Sequence, residues 1–243
     1  MLTLNKIMRA IVSIIRIILF ALWSVTSILV ATLACLLTFS NKPTLRFAKW
    51  MWSPLAIFIM GGRLEIIGRE KIIPGKPYVV MSNHCSYLDI PSLFLAMPFT
   101  LYFVAKKELK RMPFLGWFMR LSGAIFIDRK NTASAKQSLA DAAILISEGK
   151  NVVVFPEGTA SKNGEIGEFK KGGFHLASDA GAYILPVKIE GTYHVWPSAK
   201  KLNMRRGKIS VIIGDPISPE NMAKTQLESK IEFVKNTIQN LKK

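Results

Sequence analysis

An α/β fold is predicted for this chain: a mixed sheet flanked by helices, behind an N-terminal membrane-associated helical segment. Three observations lead there. Short β-rich runs recur from residue 64 onward, at Leu64–Ile67, Tyr78–Met81, Leu101–Ala105, Ala124–Ile127, Val152–Phe155, Ile184–Ile189 and Ile209–Ile213. Stretches with helical apolar spacing lie among and after them. The first 62 residues, in contrast, contain no acidic residue and one long uncharged run.

That run, Ile17 to Phe39, is 23 residues long. A helix of this length rises about 34 Å, enough to cross a bilayer. A signal peptide fits poorly, because the apolar core is too long and no convincing small-residue cleavage site follows. A buried core helix of this length would seldom be free of charge. A second apolar segment, Phe47 to Gly62, carries Trp50 and Trp52, which suit the headgroup zone. Pro54 is expected to kink or restart it. Lys6, Arg9 and Arg16 precede the long run, and Lys42, Arg46 and Lys49 follow it, so the positive-inside count does not set an orientation. One crossing puts the two ends on opposite sides; two segments dipping into one leaflet keep them together. Residues 1–62 are therefore expected to be a membrane-associated unit and residues 63–243 a second, globular one.

Within residues 63–243, Pro74-Gly75 and Gly214-Asp215-Pro216 supply turns between β-rich runs. From Asn131 to Gly149, Ala135, Leu139, Ala142 and Ile146 fall on one helical face, and Gly149 is a natural stop. Leu227, Ile231, Val234, Ile238 and Leu241 make one stripe on a C-terminal helix. At barely two heptads it is expected to pack on the sheet rather than form a coiled coil.

Charge and cysteine use narrow the function. Lys and Arg number 33 against 16 acids, a net charge of +17 that needs an anionic partner: lipid headgroups, nucleic acid or an anionic substrate. No helix-turn-helix, RNP-like or zinc signature supports nucleic acid, so no nucleic-acid partner is expected. Two cysteines, Cys35 and Cys85, make no disulfide framework. Neither paired His/Cys spacing nor an acidic calcium loop occurs, and no metal site or cofactor is expected. The absence of G-x-S-x-G removes the nucleophile elbow of a serine hydrolase.

The stretch "MSNHCSYLDIPS" holds His84 and Asp89, five positions apart. On a regular helix their side chains point about 140° apart and do not meet. Pro91, however, is best tolerated in a helix's first turn, which puts Asp89 near the N-cap and His84 in the turn before it. Such a turn can fold the imidazole onto the carboxylate and leave the second ring nitrogen as a base. Taken alone, H-x4-D is a weak pattern that reads more readily as a polar turn capping a helix. Downstream, Phe155-Pro156-Glu157-Gly158-Thr159 follows a buried-type strand and offers an acid, a hydroxyl and backbone N–H groups.

Four blocks in order, N-H-x4-D at Asn83–Asp89, G-x-x-F-I-D-R at Gly123–Arg129, F-P-E-G-T at Phe155–Thr159 and L-P-V at Leu185–Val187, resemble the motifs of the lysophospholipid acyltransferases. The likeness spans about Tyr78 to Pro216. It implies the glycerophosphate-acyltransferase fold and transfer of an acyl group from a thioester, acyl-CoA or acyl-carrier protein, to the sn-2 hydroxyl of a lysophospholipid acceptor. The product is then phosphatidic acid, made at a bilayer with anionic lipids, on the cytoplasmic face of a bacterial inner membrane. By the same resemblance His84 is the general base and Asp89 orients its ring. Arg129 is the candidate for the acceptor's phosphate, with Lys106 or Lys107 as a second cation, and Glu157, Gly158 and Thr159 shape the acceptor site. Cys85 invites a nucleophile reading, but the family does not use that position. Many phosphatidate-forming members place an arginine where this chain has Ala160. Lys162 or Lys170-Lys171 is then expected to substitute, or the acceptor carries another headgroup. A non-catalytic lipid-binding protein is the alternative from a different class.

Overall fold

All seven β-rich runs are strands, and they join in one sheet. The computed structural model describes the chain apart from residues 1, 41, 129–130, 199–201 and 224–225. The strands are β1 (Gly62–Ile67), β2 (Tyr78–Ser82), β3 (Leu101–Lys106), β4 (Ile125–Ile127), β5 (Asn151–Val154), β6 (Tyr183–Glu190) and β7 (Gly207–Ile213). Their order is β1-β7-β6-β2-β5-β3-β4. Five of them, β6, β2, β5, β3 and β4, are parallel to one another. β7 runs antiparallel to β6, and β1 pairs parallel to β7, so the sheet is mixed. Every residue of β2 and β5 is buried, as central parallel strands with both faces covered require.

Helices cover both faces. α1 spans Leu2–Thr38, α2 Lys42–Phe47 and α3 Ser53–Met60; α4 spans Asp89–Ala96, α5 Leu115–Leu121 and α6 Thr132–Ser147. α7 (Gly172–Asp179), α8 (Thr192–Val195), α9 (Pro219–Ala223) and α10 (Leu227–Asn240) complete the chain. Successive side chains of a strand serve opposite faces. Val80, Val153 and Leu185 pack with Ile57, Met60, Leu88 and Leu93 of the α3 and α4 side. Val79, Met81 and Val152 pack with Ala142, Ile146, Leu176, Val234 and Ile238 of α6, α7 and α10. The C-terminal stripe thus lies on the sheet, as its two-heptad length suggested.

The N-terminal segment departs from the sequence reading in extent. α1 runs 37 residues, about 55 Å, and takes in the three cations ahead of the apolar run. One of them has an internal role: Arg16 Nη1 donates to the Met60 carbonyl at 3.2 Å, capping the C-terminal end of α3. α2 and α3 fold back antiparallel along α1, with contacts at Cys35–Thr44, Trp52–Ser24 and Arg16–Met60. Between α2 and α3 the backbone widens into a π-turn, Ala48–Trp52, in which the Ser53 N–H reaches back to the Ala48 carbonyl. Pro54 sits just beyond, where its missing N–H does least harm. Trp50 is exposed as expected of an interfacial residue, but Trp52 is not: its indole donates to Ser24 and packs beside Phe20. Ser13, Ser27, Ala31 and Cys35 form the buried face of α1, while Ile15, Leu22, Leu33 and Leu37 are exposed. α1 is the one described helix long and apolar enough to cross a membrane.

Gly191 joins β6 to α8 at φ +85°, and a Cβ there would overlap the Lys208 carbonyl oxygen. Gly75 has φ +76° but open space around it. Gly75→Ala is expected to cost about 1–2 kcal/mol, the left-handed penalty alone. Gly191→Ala adds a backbone clash and should lower the thermal midpoint markedly more; equal midpoints would contradict this packing.

Candidate active site

The sheet's connections open a crevice beside β2 and β5. From β2 the chain crosses through α4, on one face, to β3; from β5 it crosses through α7, on the other face, to β6. Adjacent parallel strands whose connections leave in opposite directions open a cleft beyond their carboxyl ends. His84 follows β2 and Phe155 follows β5, so both predicted motifs emerge there. Lys106 ends β3, two strands from β2 and hence about 10 Å aside at the usual strand spacing.

The turn after β2 is tightly fixed. Asn83 clamps the Ile189 peptide of β6: its Nδ2 donates to the carbonyl at 2.9 Å, and its Oδ1 accepts from the N–H at 2.7 Å. Asp89, fully buried at the start of α4, turns Oδ2 back toward the loop. That single oxygen accepts from His84 Nδ1 at 2.7 Å, from the Cys85 N–H at 2.8 Å and from the Ser86 N–H at 2.9 Å. With Nδ1–H donated to the carboxylate, a neutral ring carries its lone pair on Nε2. The His84 side chain is 18% exposed, enough for one edge to meet solvent or substrate. Phe155 stacks on the ring, with centroids 4.1 Å apart and planes 17° from parallel.

The second motif locks onto the first through Glu157. Its Oε1 accepts from the His84 N–H at 2.8 Å, and its Oε2 accepts from the Gly167 N–H at 2.9 Å. The Ser161 N–H also donates to the His84 carbonyl at 2.7 Å. Burial pushes the Glu157 carboxyl above its ordinary range, against the pull of its two N–H donors. Pro156 and Glu157 occupy the middle of a turn closed by the Gly158 N–H and the Phe155 carbonyl, and Gly158 leaves it at φ +76°. Thr159 is exposed beyond the turn.

The cations divide. Lys107 pairs with Asp128 at 3.2 Å and Lys171 with Glu228 at 2.8 Å. Lys106 is exposed and makes no ion pair among the described residues. Lys170, held by its N–H to the Pro156 carbonyl, folds its side chain over Gly158: Nζ lies 3.4 Å from where a Cβ would stand. Arg129, the expected phosphate ligand, lies outside the described residues, as does Lys130. Cys85 is buried against Thr192, its Sγ 3.3 Å from Oγ1, and burial pushes the thiol up to about 12. It stays protonated at neutral pH and is no thiolate nucleophile. Among the described residues no cluster could hold a metal.

The roles of Asn83 and Gly167 were not read from the sequence. An asparagine directly after a buried strand was the available signal for the first. Nothing marks Gly167, ten residues past its partner, as a donor.

Residues 63–190 match the acyltransferase family. A 1-acyl-sn-glycerol-3-phosphate acyltransferase of Chlamydomonas reinhardtii is 37% identical over 163 residues, covering 66% of this chain and 48% of that protein. The Saccharomyces cerevisiae enzyme of the same name is 38% identical over 181 residues, 73% of this chain and 59% of its own length. The alpha form of Mus musculus is 32% identical over 184 residues, covering 75% and 65%. The chain thus spans about half to two thirds of the curated relatives it matches. The crystal structure of the 1-acyl-sn-glycerophosphate acyltransferase PlsC from Thermotoga maritima has the same fold, with a TM-score of 0.76 and 24% identity, covering 98% of this chain and 95% of that one.

Two outcomes check this site. Cys85 should resist iodoacetamide at pH 7.5 in the folded chain and react on unfolding; rapid alkylation of the folded chain would contradict its buried thiol. A carboxyl whose folded pKa is raised stabilises the fold most below the ordinary carboxylate range and loses that contribution as pH rises through the raised value. The stability of the native chain relative to Glu157→Gln should therefore fall as pH rises from about 4, followed by thermal unfolding.

Proposed function

The chain belongs to the lysophospholipid acyltransferase family, and on that premise we propose that it moves a fatty acyl group from an acyl thioester to the sn-2 hydroxyl of 1-acyl-glycerol-3-phosphate. The product is phosphatidic acid. The observation that carries this reading is the 2.7 Å contact between His84 Nδ1 and Asp89 Oδ2 at the switch point of the sheet. Nε2 of His84 takes the proton of the acceptor hydroxyl as its oxygen attacks the thioester carbonyl. The tetrahedral adduct collapses, the C–S bond breaks, and the departing thiolate recovers the proton from the imidazolium. Asp89 holds the ring in the Nδ1–H form and balances its transient positive charge. No acyl-enzyme is needed, which fits a Cys85 that cannot ionise near neutrality.

Glu157 acts as a positioning residue in this scheme, because both its oxygens are taken by backbone donors. The acceptor's phosphate is met by Arg129, by Lys106 at the end of β3, and by Lys170 where Ala160 offers no charge. Acyl-CoA or acyl-carrier protein serves as donor. Residues 1–62 work as the membrane unit and residues 63–243 as the transferase unit. The antiparallel arrangement of α1 with α2 and α3 supports a hairpin held in one leaflet, with the transferase unit on the same side as the start of α1. A lysolipid with another headgroup is the second reading, favoured by Ala160 alone.

A radiolabelled transfer assay with paired donors and acceptors tests the scheme. His84→Ala should lower transfer about 10²–10⁴-fold, while Cys85→Ala keeps most of it; the reverse result would overturn the mechanism. Lys170→Met should raise the KM for 1-acyl-glycerol-3-phosphate about tenfold or more, the worth of one charge-assisted hydrogen bond, with the donor KM unchanged. A preference of the native chain for an acceptor lacking the phosphomonoester would select the second reading.

A further inference from the structure

Directly after Lys106 the chain forms a short 3₁₀ turn, Lys107–Arg111, then a tight bend into α5. Four large apolar side chains on this bend face solvent: Met112 is 45% exposed, Phe114 38%, Leu115 38% and Trp117 49%. The bend is held open at some backbone cost. Phe114 has φ +58°, in the left-handed region a bulky side chain avoids. Gly116 is pressed so close that a Cβ would stand 2.5 Å from the Lys110 carbonyl oxygen, and Phe118 is packed into the core behind it. The Phe114 and Trp117 rings touch, with centroids 5.3 Å apart. A rigid scaffold thus presents an aromatic pair outward, where a soluble surface has no use for it.

Charge around the patch selects its partner. Lys110, Arg111 and Arg120 are exposed on the same segment, against one acid, Glu108. Apolar and aromatic side chains rimmed by cations suit the boundary between acyl chains and anionic headgroups. α5 also packs beside α1, a helix with many exposed apolar side chains of its own.

We propose that the Met112–Trp117 bend is a second membrane contact, which inserts into the leaflet that holds the α1 hairpin and seats the cleft mouth on the bilayer surface. The inference rests on the membrane reading of residues 1–62 but not on the acyl-transfer chemistry. It joins the bilayer to the segment that carries Lys106, so an acceptor lipid reaches the cations and His84 without leaving the leaflet.

The native cysteines are both buried, so an exposed thiol can be labelled selectively. Trp117→Cys and, as a second reporter, Met112→Cys are labelled in the full chain with a polarity-sensitive dye. Gln137→Cys, on exposed α6 at the other sheet face, is the reference. Each is reconstituted into vesicles of phosphatidylethanolamine and phosphatidylglycerol carrying nitroxide on the acyl chains. Several-fold stronger nitroxide quenching at 117 and 112 than at 137, with protection from aqueous iodide, is expected. Equal quenching at all three positions in vesicle-bound chain overturns the proposal and leaves the α1 hairpin as the anchor. Shielding of 117 and 112 from both quenchers assigns the patch to a protein contact and also overturns it. A chain that does not associate with the vesicles refutes the membrane reading and this inference together.

Discussion

One carboxylate oxygen organises the site. Oδ2 of Asp89 gathers the His84 ring and two successive backbone N–H groups within 2.9 Å. The turn cannot open without stranding a buried carboxylate, and the imidazole cannot swing without losing its partner. The geometry needs Asp89 at the first turn of α4, with no regular helix between it and His84. Pro91 two residues on is compatible with a helix that starts there and no earlier.

Around that turn the fold supplies fixed walls. Asn83 ties it to β6, Glu157 ties it to the turn after β5, and Phe155 lies flat on the ring. The three neighbouring strands β6, β2 and β5 therefore converge on one histidine. The placement follows from topology: between β2 and β5 the crossovers part to opposite faces of the sheet. Buried polar groups are costly unless paired, so the backbone-satisfied Glu157 links two loops rather than serving as an open acid.

Much of this was legible in the sequence, for identifiable reasons. Short β-rich runs marked every strand, turn residues separated some of them, and the apolar stripes of α6 and α10 marked their packed faces. Pro91 made the pairing of His84 with Asp89 possible, because a proline constrains where a helix begins, and the four ordered motif blocks favoured it over a plain capping turn. Strand order was not legible: nothing local says that β5 lies beside β2 or that β7 reverses direction. The inward turn of Glu157 was equally hidden, since its partners, His84 and Gly167, are 73 and 10 residues away. At the N-terminus, composition marked the apolar run but not the antiparallel return of α2 and α3. Arg16 read as one of the cations flanking the apolar run and Trp52 as an interfacial ring, yet both are bound within the hairpin.

The central claim is that Asp89 fixes which nitrogen of His84 is basic, and ¹⁵N magnetic resonance of the histidine rings tests it most directly. The chain has three histidines, so the signals are few and His84 is assigned by its loss in a single variant. At neutral pH the account predicts a His84 ring protonated at Nδ1 with a bare Nε2, shifting toward the Nε2–H form in Asp89→Asn. A native ring protonated at Nε2, or one indifferent to the loss of the carboxylate, would contradict it.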